Sequence, residues 1–237
     1  KKFKKKLSLG FDPQLFTSSN LEKKFNNICN LFPITENLID KIYKDKKKTL
    51  VNPFYNLNEK ISGESISSKI NRLTKIIKTK KIDNIFISAP ENVAWLLNIR
   101  GKDSPDSPIP NCKIILTSNK KIYFFSCPKK IYQIKKNKKY RYITFCTYKN
   151  FSKIIKRLKG NSFCIDSSTC SVSNENIIKS SFKIKTGIDP CYILKSIKNK
   201  SEINNMINAH VKDGLALTKF IFWIKNINKK KITETMA

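Results

Sequence analysis

Histidine is almost absent from this chain: His210 is the single one in 237 residues. A zinc-type centre needs imidazoles or thiolates at ligand spacing. The seven cysteines, at 29, 112, 127, 146, 164, 170 and 191, form no Cys-x-x-Cys pair, and none stands at ligand spacing from His210. No metal ligand is therefore assigned. The dispersed, odd-numbered cysteines fit reduced thiols, and Cys112, Cys146 and Cys164 lie in strand-like runs where cysteine acts as a small hydrophobe. No Gly-rich phosphate loop is present, and Ser167-Ser168-Thr169 lacks a Gly-x-Ser-x-Gly frame. No catalytic residue is assigned either. No apolar run approaches about 18 residues and no basic stretch leads into an apolar signal core, so neither membrane insertion nor export is expected and the expected compartment is the cytoplasm.

Acidic residues are also scarce, 17 against 48 basic ones, giving a formal net charge of +31. Such an excess ordinarily points to phosphate-bearing partners. Only four of the basic residues are arginine, however, at 72, 100, 141 and 157. Specific readers of nucleic acid use arginine for bidentate contacts and interleave aromatics with the charge. Here lysine runs through every segment beside abundant Asn and Ile, as expected from A/T-rich codons. Solvated lysine faces with generic polyanion attraction at low salt are the expectation, without specific nucleic-acid recognition.

Three blocks follow from periodicity. In residues 1–58 a strand is expected at 7–11, a helix at 21–29, a return at 30–33 and a helical turn at 38–43. One strand with one helix cannot bury its faces, which implies further sequence upstream and makes the chain an internal fragment. Residues 44–60 are polar and aperiodic and serve as a linker. Residues 59–188 carry a full alternation. Ile66, Ile70, Leu73, Ile76 and Ile77 make a helical stripe behind Ser65 as N-cap, and strands are expected at 82–88, 112–117, 121–125, 142–147, 162–165 and 182–184. Helices are expected at 91–97, 150–158 and 173–179, residues 118–120 form a hairpin turn, and a Lys-rich loop precedes residue 142. The predicted fold class is α/β, a mixed twisted sheet flanked by helices. From Cys191 a long amphipathic helix is expected, with Ile203, Met206, Ile207, His210, Leu215, Leu217, Phe220, Ile221 and Ile224 on one stripe, a break at 226–231 and another helix from Thr233. Without a cover that stripe is exposed and prone to self-association.

The stretch Ala94-Trp95-Leu96-Leu97-Asn98-Ile99-Arg100-Gly101-Lys102-Asp103, followed by Pro105, Pro108 and Pro110, holds a cation at the mouth of an α/β layer. It resembles the AWLLNIRGxD segment of Xaa-Pro aminopeptidases, metal-dependent peptidases of the creatinase and prolidase group. Leu9-Gly10-Phe11-Asp12-Pro13 and Asn37-Leu38-Ile39-Asp40-Lys41-Ile42-Tyr43 resemble two further family segments, as do Asp189-Pro190-Cys191, Lys195 to Asn199 and Ala209 to Gly214. The resemblance implies three parts: residues 1–58 as the end of a first creatinase N-terminal-like domain, 59–188 as a second, and 189–237 as the opening helices of a truncated catalytic domain. It also implies that the parent protein holds two divalent ions, manganese in this reading, on Asp, His and Glu ligands that this chain lacks. The parent then removes an N-terminal residue preceding proline, acts on peptides with proline in second position, and forms a homodimer.

Within these residues the expected role is scaffold and pocket entrance. Arg100 and Asp103 are the substrate-proximal candidates, and the competing role for Arg100 is a cation that satisfies the carbonyls ending the preceding helix. Asp12 and Asp189 read as turn formers. His210 reads as a hydrogen-bonded helix histidine. A rival reading is a peptidase-like binding module without metal ligands, similar to relatives that bind proteins such as histones, with the positive charge attracting acidic partners.

Overall fold

The apolar alternation of the middle block is realised as a six-stranded sheet with helices on both faces. The computed structural model describes residues 7–25, 28–43, 51–227 and 232–236. They fall into two compact units, Lys1–Leu57 with Ser65–Ile197, and Asn58–Glu64 with Lys198–Ala237.

The first unit opens with a β-α-β element. Strands β1 (Leu7–Phe11) and β2 (Cys29–Pro33) pair in parallel around helix α1 (Ser18–Phe25). The expected return at 30–33 is thus a strand; the crossover through α1 lets it pair in parallel, which a short Pro-ended run does not advertise. Helix α2 (Leu38–Ile42) is capped by Asn37, whose side chain accepts from the Ile39 amide at 3.0 Å. Asp12 accepts from the Gln14 amide at 2.8 Å, the turn role expected of it, and from Asn37 Nδ2 at 2.9 Å, which ties two of the motif segments together.

The linker expectation needs correction. Residues 44–50 lie outside the described residues, but Tyr55–Asn56 is a strand, β3, and Glu59–Ser62 a helical turn, α3. Phe54 is fully buried and its amide donates to the Lys130 carbonyl, so a single aromatic anchor fixes a segment too short to show a period.

Helix α4 (Ile66–Thr79) starts at Ser65, whose hydroxyl accepts from the Ser68 amide, and buries Ile66, Ile70, Leu73 and Ile77. Then follow β4 (Asn84–Ile87), α5 (Pro90–Leu96), β5 (Ile99–Arg100), β6 (Lys113–Thr117), β7 (Ile122–Phe125), α6 (Pro128–Lys136), β8 (Ile143–Cys146), α7 (Phe151–Ile155), β9 (Ser162–Ile165), α8 (Val172–Lys179), β10 (Lys183–Thr186) and α9 (Pro190–Ser196). The sheet order is β10-β9-β4-β6-β7-β8. Ile85, Ile87, Ile114, Leu116 and Phe124 project to one face, against α4, α5 and α6. Phe86, Ile115, Phe125 and Ile165 project to the other, against α7 and α8. The β6–β7 hairpin turns at residues 118–120 as expected, with Lys120 in the left-handed region at φ 64°.

Two more expectations fail here. The Lys-rich loop is helix α6, because Ile131 and Ile134 at a spacing of three are buried while Lys129, Lys135 and Lys136 stay outside. The long helix from Cys191 is broken in two at residues 197–199. Asn199 starts the second, α10 (Lys200–Asn226), with a capping box in which its side chain accepts from the Glu202 amide and Glu202 accepts from its own.

In the second unit α3 packs on the start of α10, with Asn199 Nδ2 donating to the Ser62 carbonyl at 2.8 Å and Asn205 Nδ2 to the Ile61 carbonyl at 3.0 Å. Gly63 closes α3 at φ 69°, hard against the Asn199 side chain, where a Cβ has no room. No residue of α10 is buried, so its apolar stripe is exposed, as expected without a cover.

Candidate functional site

The segment 94–103 is held by the core from four directions. Helix α5 begins at Pro90 and buries Val93, Ala94 and Leu96. It cannot continue past Leu97, because Asn98 takes a left-handed turn at φ 50°. The chain then pairs as β5 with β3, Tyr55 opposite Arg100 and Asn56 opposite Ile99.

Lys69, on α4, is the unforeseen member. It is 1% exposed, and its Nζ donates to the Trp95 carbonyl at 2.9 Å and to Asn98 Oδ1 at 2.7 Å while lying 4.6 Å from the Trp95 ring centroid. The reading of lysine as solvated fails at this position. Its phase was the available signal: Lys69 stands three residues after Ile66 and four before Leu73, inside the apolar stripe. From the other side the hydroxyl of buried Tyr140 lies 2.7 Å from Asn56 Oδ1, with the Leu97 carbonyl at 3.2 Å.

Arg100 is half-buried. Its Nη1 donates to the Ala94 carbonyl at 3.2 Å and the Ile99 carbonyl at 2.8 Å. It therefore does what the competing reading asked, satisfying a carbonyl of the helix before it. Asp103 makes different bonds. It pairs with Lys130 of α6 at 2.5 Å, with both side chains nearly buried, and accepts from the Asn111 amide at 2.6 Å. The two candidates flank Gly101 without forming a pair.

Gly101 explains itself by contact. A Cβ there lies 2.7 Å from Pro110 Cα, 3.0 Å from Pro110 Cβ and 3.1 Å from the Phe54 ring. Its amide also donates to the Pro108 carbonyl. The proline-spaced loop thus folds back onto the glycine, and the exposed part of the loop lies between. Because two of those neighbours are backbone and a ring-locked carbon, Gly101→Ala is expected to lower stability by about 1–3 kcal/mol in urea unfolding. An unchanged midpoint contradicts the close approach.

A second buried polar cluster surrounds Asp189, the N-cap of α9. Its Oδ1 accepts from the Cys191 amide at 2.9 Å and its Oδ2 from Asn92 Nδ2 at 2.7 Å, while its own amide donates to Asp166 Oδ2 at 3.0 Å. Burial raises the Asp189 pKa, and the Cys191 and Asn92 donors oppose the rise. The turn role holds. Asp166, which sequence reasoning passed over, supplies a second carboxylate, and its Oδ1 is occupied by the amide and hydroxyl of Ser168. Both acids are consumed in holding loops.

His210 departs from expectation. Among the described residues it makes no hydrogen bond; it lines a shallow groove on α10 with Lys198, Ile203, Met206, Ile207 and Val211. The cysteines are free thiols, with Cys112, Cys164, Cys170 and Cys191 buried. Among the described residues no three His, Cys, Asp or Glu side chains gather to hold a metal ion, so these residues do not fit a dinuclear centre. No helix among them is long and apolar enough to cross a membrane.

The chain is thus a helix-flanked mixed α/β sheet in which Arg100, Asp103, Asp166 and Asp189 hold its own loops. The chain belongs to the Creatinase/Prolidase N-terminal domain family, whose model matches residues 45–202. It is 28% identical over 242 residues to the Xaa-Pro aminopeptidase ApepP of Drosophila melanogaster, covering 97% of this chain and 39% of that protein. It is also 28% identical over 208 residues to Xaa-Pro aminopeptidase 1 of Dictyostelium discoideum, covering 84% of this chain and 33% of that protein. The chain therefore spans well under half the length of these relatives. The fold resembles the crystal structure of X-prolyl aminopeptidase from Caenorhabditis elegans, described as a cytosolic enzyme with a di-nuclear active site. The TM-score is 0.79 at 23% identity, over 94% of this chain and 38% of that one.

Proposed function

We propose that these residues are the non-catalytic part of a metal-dependent Xaa-Pro aminopeptidase, which removes an N-terminal residue preceding proline. The observation that carries this reading is the alignment of 97% of the chain with a curated Xaa-Pro aminopeptidase, through the Arg100-Gly101 segment and beyond. In this reading residues 1–58 end one creatinase N-terminal-like domain, 59–188 form a second and 189–237 open the catalytic domain. Two divalent ions, manganese in this reading, would be held by other residues of the whole protein and would supply Lewis-acid activation of water and of the scissile carbonyl. The whole protein works in the cytosol as a homodimer on peptides with proline in second position. The lysine surface serves solubility, without specific nucleic-acid recognition.

Arg100 and Asp103 border the substrate entrance. What supports this is their position at the root of the exposed loop that follows Gly101, with both side chains braced from within. Arg100→Ala in the whole protein is expected to raise KM for an Xaa-Pro peptide roughly tenfold, with a smaller change in kcat. Unaltered KM and kcat remove the entrance role. Hydrolysis itself is tested with manganese present and then chelated. Absence of cleavage in both states overturns the peptidase reading and favours the module for acidic partners, for which the charge of +31 is the supporting feature.

A further inference from the structure

Strands β10, β9 and β4 run parallel, β4 and β7 are each antiparallel to β6, and β8 is parallel to β7. Five strands therefore share one direction and β6 alone opposes them. The first residue of β6, Lys113, stands opposite Phe125, the last of β7, so it lies at the carboxyl edge of the five. In open α/β sheets that edge is where ligands bind. A cavity of about 490 Å³ opens there, lined by Lys113, Tyr148, Lys149, Ser171, Ser173 and Asn174 among others. Its walls are the β8-to-α7 and β9-to-α8 connections.

Lys113 is anomalous where it stands. It projects on the same face as Ile115, which packs in the cluster of Phe86, Phe125 and Phe151. A half-buried ammonium on an apolar face is costly unless an acceptor meets it. Among the described residues the Lys113 ammonium makes no hydrogen bond or ion pair; it stands over the Tyr148 ring, 5.8 Å from Nζ to centroid. Burial accordingly lowers its pKa. The Tyr148 and Ser173 hydroxyls and the Asn174 side-chain amide are likewise without partners among the described residues. Lys113 and Lys149, the Tyr148 and Ser173 hydroxyls and the Asn174 amide thus belong to residues lining one opening, which has no carboxylate among its lining residues.

We propose that this cavity binds a small tetrahedral oxyanion, the phosphoryl group of a free phosphate or of a phosphomonoester, with Lys113 as its floor and Lys149 at its rim. Ammonium and hydroxyl donors suit such a group because each supplies a charge-assisted or neutral hydrogen bond to an oxygen that carries the negative charge. The site is separate from the substrate entrance and does not depend on the peptidase reading.

The test is residue-resolved acetylation of the whole protein, with inorganic phosphate compared with chloride at equal ionic strength. Phosphate is expected to slow modification of Lys113 about fivefold or more, as site occupancy requires, while exposed Lys120 is unaffected. Stronger protection by ribose 5-phosphate identifies a phosphomonoester as the source, and equal protection identifies free phosphate. Equal slowing at Lys113 and Lys120 overturns the proposal. As a second measurement, phosphate is expected to raise the thermal midpoint of the wild type and not of Lys113→Met. That variant should itself be at least as stable, since an unpaired cation is gone. A phosphate-induced rise that is the same in both proteins, or absent in both, also overturns it.

Discussion

Replacing Lys69 with alanine is expected to lower stability by about 3–5 kcal/mol, the range for truncating a large buried side chain, read as a fall in the urea midpoint. Two effects combine. The variant leaves a cavity beneath α5, and it removes one donor from the Trp95 carbonyl, which keeps a backbone amide, and one from Asn98 Oδ1. A buried acceptor left unpaired costs about 1–3 kcal/mol. Lys69→Met separates the two, because it fills the volume without donating; it should recover part of the loss and no more. The consequence reaches the Arg100 segment. Asn98 holds the left-handed turn that directs Ile99 and Arg100 into β5, so Lys69→Ala should also increase amide exchange across residues 95–100. Stability equal to that of the wild type contradicts the buried placement of Lys69.

Removing Lys130 should cost about 3 kcal/mol, because it leaves Asp103 charged and nearly buried with the Asn111 amide as its remaining donor. The double variant Lys130→Met with Asp103→Asn is expected to recover much of this, and the coupling is read from a double-mutant cycle. A surface pair in the same assay is worth at most about 1 kcal/mol. Coupling of that small size, or coupling abolished by molar salt, means that the pair is exposed and that the loop after Gly101 is not braced from α6. The two variants are distinguishable in function. Lys130 acts on the loop beyond Gly101, whereas Lys69 acts on the helix end before it.

Much of the site was legible in residue order. The apolar stripe of α4, the hairpin at 118–120 and the strands 162–165 and 112–117 follow from periods of 3.6 and 2, which neighbouring residues impose on one another. The Arg100-Gly101 segment was legible as a unit because its parts are consecutive, and Asp12 and Asp189 as turn formers because their acceptors bond amides two residues on. Helix α6 was hidden because its two buried isoleucines are outnumbered by lysines, and Tyr55–Asn56 because a two-residue strand has no period. His210 was misread as hydrogen-bonded because mid-helix position does not reveal which face meets a neighbour.

The order of residues by itself determined the class of fold, the periods of its main strands and of α4, and the family segments. Tertiary structure alone decided which charges are buried: Lys69 under Trp95, Asp103 on Lys130, Asp189 beside Asp166, and Lys113 at the strand edges. The physical reason is range. Periodicity is enforced by neighbours within a turn or a pleat, but whether a lysine meets water, a carbonyl or an empty cavity depends on strands and helices brought together from distant parts of the chain.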